Sequence, residues 1–271
     1  MKYLFVLTLL SISSISYSYD QIPPYPLQSC ISHAPYGFPE TSKQGISICR
    51  AGYVTLSDIS AKLPIWVSYK LTPSTANGCI PRSNSFSSDQ SLPKGSRAEL
   101  SDFKGSGFDM GHMSPADDQS SIVQTERESF ILSNISPQLA NLNRGSWKLL
   151  ETSIRGWVLQ RNHPYVIYTG SIYDSSDKTI GSNKVVVPHA FYKIVIDTVS
   201  NETAGFLFPH QNSSDYNLLI FRKPIHQIQE ISGINFGFSQ NTIELPINQL
   251  WPVDFGYLTK FKAASCNISI K

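Results

Sequence analysis

The sequence contains few charged residues and no long hydrophobic run. Lysine, arginine, aspartate and glutamate make up 15% of its 271 residues, well below the roughly 25% that is typical of soluble domains. The apolar run that starts at Tyr3 ends at Leu10, whereas a membrane-spanning helix needs about 20 apolar residues. The formal net charge of +2 excludes a polycation, so any binding of nucleic acid would need a local basic cleft.

Residues 1–18 have the pattern of a signal peptide. Lys2 precedes the short apolar run, and small residues follow it as far as Ser18. This pattern predicts export with cleavage after Ser18. We therefore expect a secreted or periplasmic protein, with no stable membrane association after the signal is cleaved.

The chain has only four cysteines, Cys30, Cys49, Cys79 and Cys266, and no paired CxxC motif. The missing motif argues against a structural zinc site. An even number of cysteines in an exported protein predicts up to two disulfides, and three pairings are possible. Proximity along the chain favours the pair Cys30–Cys49.

Hydrophobic residues make up 41% of the chain, enough to build the core of one large domain and too many for a disordered chain. Residues 19–50 are rich in proline, serine and glycine and are predicted to form an extended N-terminal arm. Residues 51–271 are predicted to form a single domain, and no internal repeat is evident.

Segments rich in β-branched and aromatic residues predict a series of strands. They lie at 54–57, 64–71, 129–135, 165–169, 185–187, 191–196, 205–208 and 216–221. A helical period runs from 143 to about 161, a short helix is predicted at 224–232, and the tail is expected to be irregular. Residues 72–107 are predicted to be a long polar loop, of a length that is often functional. Mixed strands around one long helix predict the α+β class, with a mixed or antiparallel sheet core.

His112 lies at the end of this polar loop, in the segment Asp-Met-Gly-His at 109–112. Histidine is the natural general base near neutral pH, and a neighbouring carboxylate such as Asp109 can fix its tautomer. Taken alone, the segment fits an ordinary structural or exposed histidine better than a catalytic one.

A second segment starts the predicted helix. Asn143, Trp147, Glu151 and Arg155 follow one another at intervals of four residues and would share one broad helical face. The alternative is an ordinary amphipathic helix, with Asn143 as a cap and Glu151–Arg155 as a surface ion pair. Trp147, Trp157, Tyr168 and the Phe191–Tyr192 pair are expected in the core rather than as base-stacking platforms.

Together the segments resemble the DNA/RNA non-specific endonucleases of the ββα-metal superfamily, which includes the Serratia-type nucleases. That family combines a DRGH-type motif, an SNxxPQ turn and a helix with the pattern N-x-x-x-W-x-x-x-E. The chain has Asp-Met-Gly-His at 109–112, Ser-Asn-Ile-Ser-Pro-Gln at 133–138 and the helix pattern at 143–151. The resemblance extends over roughly residues 53–240 and implies a ββα-metal finger around the active-site helix. Several motifs in one order are far more specific than a single short match.

The resemblance implies a role for each residue that matches a family motif. His112 corresponds to the general base that activates water, and Asn143 to the direct protein ligand of one Mg²⁺ ion. Mg²⁺ keeps most of its waters and takes few protein oxygens, and Mn²⁺ is an alternative. Glu151 would lie roughly 12 Å from Asn143 along a regular helix, so we expect it to contact the metal through a bound water.

Three further residues match the family's active site. Arg82, in the context R-x-x-x-F that ends at Phe86, corresponds to an arginine that stabilises phosphoryl charge. Arg155 corresponds to a second family arginine, and Asn134 to an asparagine that supports the geometry of the site. The substrates implied are DNA and RNA, bound through the phosphate backbone with little sequence preference. A homodimer is left open.

Met110 is the one clear departure, because the family motif has an arginine there that is thought to bind phosphate. Lys104 and Arg144 are candidates to replace it by proximity, and we expect reduced or retuned activity. The alternatives to an active nuclease are a weakened nuclease-like binding module and a narrower phosphodiesterase or toxin effector.

Overall fold

A computed structural model of the protein describes residues 23–212, 216–238 and 241–267. The predicted signal peptide at residues 1–18 lies outside this range. Within the described ranges, no helix combines the length and the apolar character that a membrane span requires.

The strands of the described chain are numbered in chain order. They are β1 (Glu40–Thr41), β2 (Ile46–Cys49), β3 (Val54–Asp58), β4 (Leu63–Leu71), β5 (Asp109–His112), β6 (Ile135–Gln138), β7 (Tyr165–Ile172), β8 (Thr179–Ile180), β9 (Val185–Val186), β10 (Ala190–Asp197), β11 (Glu202–Pro209), β12 (Ile234–Asn235) and β13 (Ile243–Glu244). The α-helices are α1 (Leu100–Phe103), α2 (Val123–Glu128), α3 (Ala140–Leu142), α4 (Lys148–Arg161), α5 (Ile225–Ser232) and α6 (Phe255–Ser265). Short 3₁₀ helices lie at Leu27–His33, Leu132–Asn134 and Leu218–Phe221.

The central sheet of the described chain has seven strands in the order β13-β11-β10-β7-β4-β3-β2. Its pairs are antiparallel except β11–β13, which is parallel. All eight residues of β7 and of β10 are buried, since both faces of the sheet centre are covered. This double burial explains why these strands appear in the sequence as nearly continuous apolar runs. The predicted α+β class with a mixed sheet is confirmed.

Helix α4 packs its apolar side on one face of the sheet. Trp147, just before α4, and Trp157 within it are buried against Phe191 and Phe206. Burying side chains of this size stabilises the layer by roughly 1.5–3 kcal/mol each. The aromatic residues predicted as core, including Tyr168 and the Phe191–Tyr192 pair, are 0–1% exposed, so that prediction is confirmed.

The hairpin of β5 and β6 and the helix that follows it form the predicted ββα unit. The two strands are antiparallel, with Gly111 opposite Ser136 and His112 opposite Ile135. Position 111 must be glycine, because a Cβ atom there would come within 2.0 Å of the Gln138 side chain. The two strands of the hairpin are therefore packed tightly against each other.

A regular helix was predicted from Asn143 onward, and this prediction is wrong for the first turn. Residues 143–147 form a π-helical turn in which Gly145 has non-helical angles (φ −101°, ψ −114°) between α3 and α4. Such π turns occur frequently at functional sites. Because of this kink, the separation of roughly 12 Å between Asn143 and Glu151 that a straight helix predicts does not apply.

Four other predictions need correction. Residues 46–49 of the predicted N-terminal arm form β2, an edge strand of the central sheet, and residues 27–33 form a 3₁₀ helix. The strand predicted at 129–135 is a turn that leads to β6. The strand predicted at 216–221 contains a 3₁₀ turn, and the tail predicted to be irregular contains α6. In each case tertiary contacts override local strand or loop preference.

Two disulfides join Cys30 to Cys49 and Cys79 to Cys266. The pairing of Cys30 with Cys49 is therefore confirmed. The second disulfide connects residues 187 positions apart and fixes α6 to the start of the long polar loop.

Candidate active site

A cleft of about 890 Å³ opens between the β5–β6 hairpin, the polar loop and the start of α4. The predicted residues His112, Asn143, Glu151 and Arg82 all line it. The cations that line this cleft are Arg82, Lys104, Arg144 and Lys148, and the acids are Asp109, Asp117 and Glu151. The protein has almost no net charge, and its cleft brings four basic and three acidic side chains together with one histidine.

His112 is only 7% exposed and packs against two phenylalanine rings that also contact each other. Its ring is edge-on to Phe130 at 4.8 Å between centroids and lies 5.4 Å from Phe86. Burial, aided by the positive charge of Arg82, lowers the pKa of His112 from 6.5 to about 3. Its Nε2 atom is buried and has no hydrogen-bond partner among the described residues. The imidazole is therefore neutral at physiological pH, the state that a general base requires.

The backbone around His112 is held from beneath by buried side chains. The Trp147 indole donates to the carbonyl of His112 (3.3 Å), and the Lys193 ammonium donates to the carbonyl of Met113 (3.2 Å). The amide oxygen of Asn134 accepts from the backbone of Ser114 at 2.8 Å, and its amide nitrogen donates to the carbonyl of Ser114 at 2.9 Å. Three successive peptide groups are thus fixed, which fixes the histidine.

Asn134 itself is completely buried and does not line the cleft. Its amide nitrogen also donates to the carbonyl of Ser129 at 2.7 Å. The side chain therefore connects the segment before β6 to the segment after β5. This geometry fits a positioning residue, with no contact to a substrate in the cleft.

Asn143 and Arg144 share the carboxylate of Asp109. Oδ2 of Asp109 accepts from the Asn143 amide nitrogen at 2.9 Å and from Nε of Arg144 at 2.8 Å, and Oδ1 accepts from the Arg144 terminal nitrogen at 2.6 Å. Burial alone would raise the pKa of Asp109, but the hydrogen bonds from Arg144 and Asn143 outweigh it and hold the pKa below its ordinary value. Asp109 was expected to orient His112; among the described residues it instead bonds Asn143 and Arg144.

Glu151 is half-buried and lines the cleft. Burial raises the pKa of Glu151 to about 7, and the positive charge of Lys193 opposes this shift. Lys193 is fully buried, and its ammonium lies 4.4 Å from the Trp147 ring centroid. The charge of Lys193 favours the ionised carboxylate, but burial outweighs it and leaves the pKa of Glu151 above its ordinary value.

Arg155 does not line the cleft. Its guanidinium pairs with Asp118 at 2.8 Å and with Asp117 at 3.6 Å. The Asp118 side chain is fully buried and also accepts from the Tyr69 hydroxyl at 2.9 Å. Arg155 is therefore anchored behind Glu151, and it fixes the segment that carries Asp117 at the wall of the cleft.

The donor set of the cleft fits a hard divalent cation. Asp109 engages the amide nitrogen of Asn143, so the amide oxygen is the donor left for a ligand, and Glu151 adds a carboxylate. Few protein oxygens in a solvated cleft match the coordination of Mg²⁺. A separate group, Asp174, Asp177 and His189, has ligand atoms within 4.8 Å of one another but does not line this cleft.

Three features of the site were not predicted from the sequence. They are the hydrogen bond from Lys193 to the backbone of Met113, the position of Lys148 in the cleft lining, and the hydrogen bonds of Asp109. Lys193 lies in an otherwise apolar strand, and a charged residue in such a run was the available signal. Lys148 carries no local signal, because exposed lysines are common in helices. The connection of Asp109 to Asn143 joins residues 34 positions apart and leaves no trace in local spacing.

The family model for DNA/RNA non-specific endonucleases matches residues 32–242, and the chain belongs to that family. It is 30% identical over 218 residues to the mitochondrial endonuclease G of Bos taurus, covering 75% of this chain and 72% of that protein. It is 27% identical over 216 residues to the nuclease of Serratia marcescens, covering 75% of this chain and 79% of that protein.

A solved structure agrees with the sequence relatives. The chain matches the crystal structure of the EndoG/EndoGI complex with a TM-score of 0.69 and 26% identity. The match covers 81% of this chain and 91% of that chain. The resemblance deduced from the sequence motifs is therefore confirmed.

Proposed function

We propose that the protein is an endonuclease that hydrolyses phosphodiester bonds of both DNA and RNA, with one Mg²⁺ ion and His112 as the general base. The observation that carries the proposal is one cleft that holds a buried neutral histidine, two oxygen donors and four cations. The cations can bind a phosphate backbone, and backbone contacts carry no base or sugar information.

His112 accepts the proton of the attacking water in this proposal. Its neutral state supplies a free lone pair, and the contacts of residues 112–114 hold the ring in place. General bases of this kind contribute about 10²- to 10⁴-fold to a rate. The phenylalanine contacts exclude bulk water from one side of the ring.

Asn143 and Glu151 would hold the metal, Asn143 directly through its amide oxygen and Glu151 through a bound water. When bound, Mg²⁺ supplies charge stabilisation to the phosphoryl oxygens, and Mn²⁺ could substitute for it. Arg82, exposed at the mouth of the cleft, contributes a positive charge to the phosphate. Arg155 and Asn134 act as positioning residues, through Asp118 and Ser114 respectively.

We infer that the protein acts in an oxidising compartment, either secreted or periplasmic. The two disulfides support this inference, because such bonds persist mainly outside the cytosol. Fractionation of expressing cells, followed by N-terminal sequencing of the mature protein, would test it. A mature N-terminus at Tyr19 would support cleavage after Ser18, and an uncleaved intracellular chain would contradict it.

The activity is tested by incubating the purified mature protein with plasmid DNA and with total RNA, each with Mg²⁺, with Mn²⁺ and with EDTA. We expect both polymers to be cleaved with metal and neither to be cleaved with EDTA. The variant His112→Ala should lose about 10³-fold in rate. His226→Ala, which removes an exposed histidine of α5, is the matched control and should keep the wild-type rate.

Met110 favours a second candidate, a nucleic-acid-binding module with weakened catalysis. Binding of both polymers without cleavage under any divalent ion would support this candidate and overturn the nuclease proposal. Cleavage of small phosphodiesters alone would indicate a narrower phosphodiesterase.

A further inference from the structure

The guanidinium of Arg144 is held at the cleft but is not buried there. It makes two hydrogen bonds to Asp109, at 2.6 and 2.8 Å, while its side chain remains 72% exposed. An exposed ion pair of this kind contributes little to stability. The contact therefore orients Arg144 without locking it in place.

The carboxylate that holds Arg144 resembles a phosphate in what it offers to the guanidinium. Arginine binds carboxylate and phosphate with the same planar fork of two donors. A phosphate that enters the cleft can accept the same two hydrogen bonds. Arg144 can thus exchange one anion for the other with little rearrangement.

The position of Arg144 distinguishes it from the other cations of the cleft. It follows Asn143 directly in the chain, and both side chains bond to the same oxygen of Asp109. When Arg144 turns to a phosphate, Asp109 keeps its hydrogen bond from Asn143. The amide oxygen of Asn143 then still faces the cleft while the neighbouring guanidinium binds substrate.

Strand β5 itself offers no cation at this point. Met110 is half-buried on β5, lines the cleft and lies next to Asp109. It packs against the apolar core with its thioether side chain. The positive charge at this side of the cleft therefore comes from Arg144, whose guanidinium extends over β5 from the neighbouring helical turn.

We propose that Arg144 is a phosphate-binding residue, which releases Asp109 and grips the nucleic-acid backbone beside the metal ligand Asn143. The inference rests on the proposed nuclease function, since it assigns a substrate contact to the same cleft. It predicts that this chain recovers through Arg144 the phosphate contact that Met110 cannot make.

The test measures binding separately from cleavage. The Kd for a fluorescein-labelled 20-base-pair DNA duplex is determined in EDTA over a series of salt concentrations. We expect Arg144→Ala to weaken binding about tenfold at roughly 0.1 M salt, which is the lower end for a charge-assisted contact. The slope of log K against log salt should become shallower by about one.

Variants at three other positions control for charge and position. Lys260→Ala removes an exposed cation of α6 outside the cleft and should change the salt slope much less. Met110→Arg combined with Arg144→Ala should restore most of the lost affinity. In Arg144→Ala the Asp109 carboxylate loses its partner and could itself repel phosphate. Arg144→Ala should still weaken binding in an Asp109→Asn background, where this carboxylate is absent, because the effect comes from the lost contact between Arg144 and phosphate.

An unchanged salt slope in Arg144→Ala would overturn the inference. A variant that loses cleavage but keeps wild-type affinity would also overturn it, because Arg144 would then only position Asn143. The two proposals fail separately. A wild-type protein that binds but never cleaves would refute the nuclease function, while the binding series would still decide the role of Arg144.

Discussion

The cleft has a buried floor and an exposed rim that are built in opposite ways. The floor consists of His112 and the side chains beneath it, Trp147, Lys193 and Asn134, which are all at most 7% exposed. The rim consists of the exposed cations Arg82, Lys104, Arg144 and Lys148. The floor fixes His112 through contacts that water cannot replace, whereas the rim presents solvated charges that salt can screen.

The difference separates two kinds of mutational effect. Changes in the floor should alter stability and the rate of the chemical step together, at any ionic strength. Changes in the rim should leave stability intact and alter binding in a salt-dependent manner. Three measurements follow, from the largest expected effect to the smallest.

The largest effect concerns stability at low pH. The pKa of His112 is lowered to about 3 in the folded protein, against roughly 6.5 in an unfolded chain. Between these values the unfolded state takes up a proton that the folded state does not, so the free energy of unfolding falls as the pH is lowered. The penalty is absent above pH 6.5, grows through this window, and has an upper bound of about 5 kcal/mol near pH 3.

Urea unfolding at pH 7, 5 and 4 measures this penalty. His112→Asn should become progressively more stable relative to the wild type as the pH falls, while His226→Asn should follow the wild-type curve. Parallel curves for wild type and His112→Asn would contradict a buried neutral histidine.

The second prediction compares the same substitution in the floor and at the rim. Lys193→Met leaves the carbonyl of Met113 without its buried donor, so the free energy of unfolding should fall by about 1–3 kcal/mol. The rate of cleavage should fall as well, because the peptide after His112 is no longer held. Lys148→Met removes an exposed cation and should change stability by no more than about 0.5 kcal/mol.

Chemical denaturation and initial rates on the same preparations measure both quantities. An equal loss of stability in the two variants would remove the distinction between floor and rim. Full activity in Lys193→Met would show that the buried ammonium does not position His112.

The smallest effect is expected at the outer rim. Lys104 is exposed, and no hydrogen bond or ion pair of its side chain is present in the described residues. Lys104→Ala should raise KM about two- to fivefold at low salt, as for one weak phosphate contact. The effect should disappear as salt approaches 0.5 M, and a salt-independent effect would place Lys104 with the floor instead.

Local patterns in the sequence determined much of the fold and family. Several features could be recognised without a structure. They are the apolar runs of β4, β7 and β10, the helical period of α4, and the three motifs that follow one another at 109–112, 133–138 and 143–151. Burial of side chains imposes the periods of 2 and 3.6 residues on each element, so these elements are encoded by neighbouring residues. Two of these motifs named His112, Asn143 and Glu151, and the R-x-x-x-F context named Arg82; the fold brings all four into one cleft.

Only the tertiary structure decided how these residues are supported. Three contacts each join positions at least 35 residues apart. They are the hydrogen bond from Lys193 to Met113, the ion pair of Arg144 with Asp109, and the disulfide of Cys79 with Cys266. Such contacts depend on how strands and helices pack, and local periodicity carries no information about that packing. For the same reason Arg155 and Asn134, which match the motifs as clearly as His112 does, lie behind the cleft and not in it.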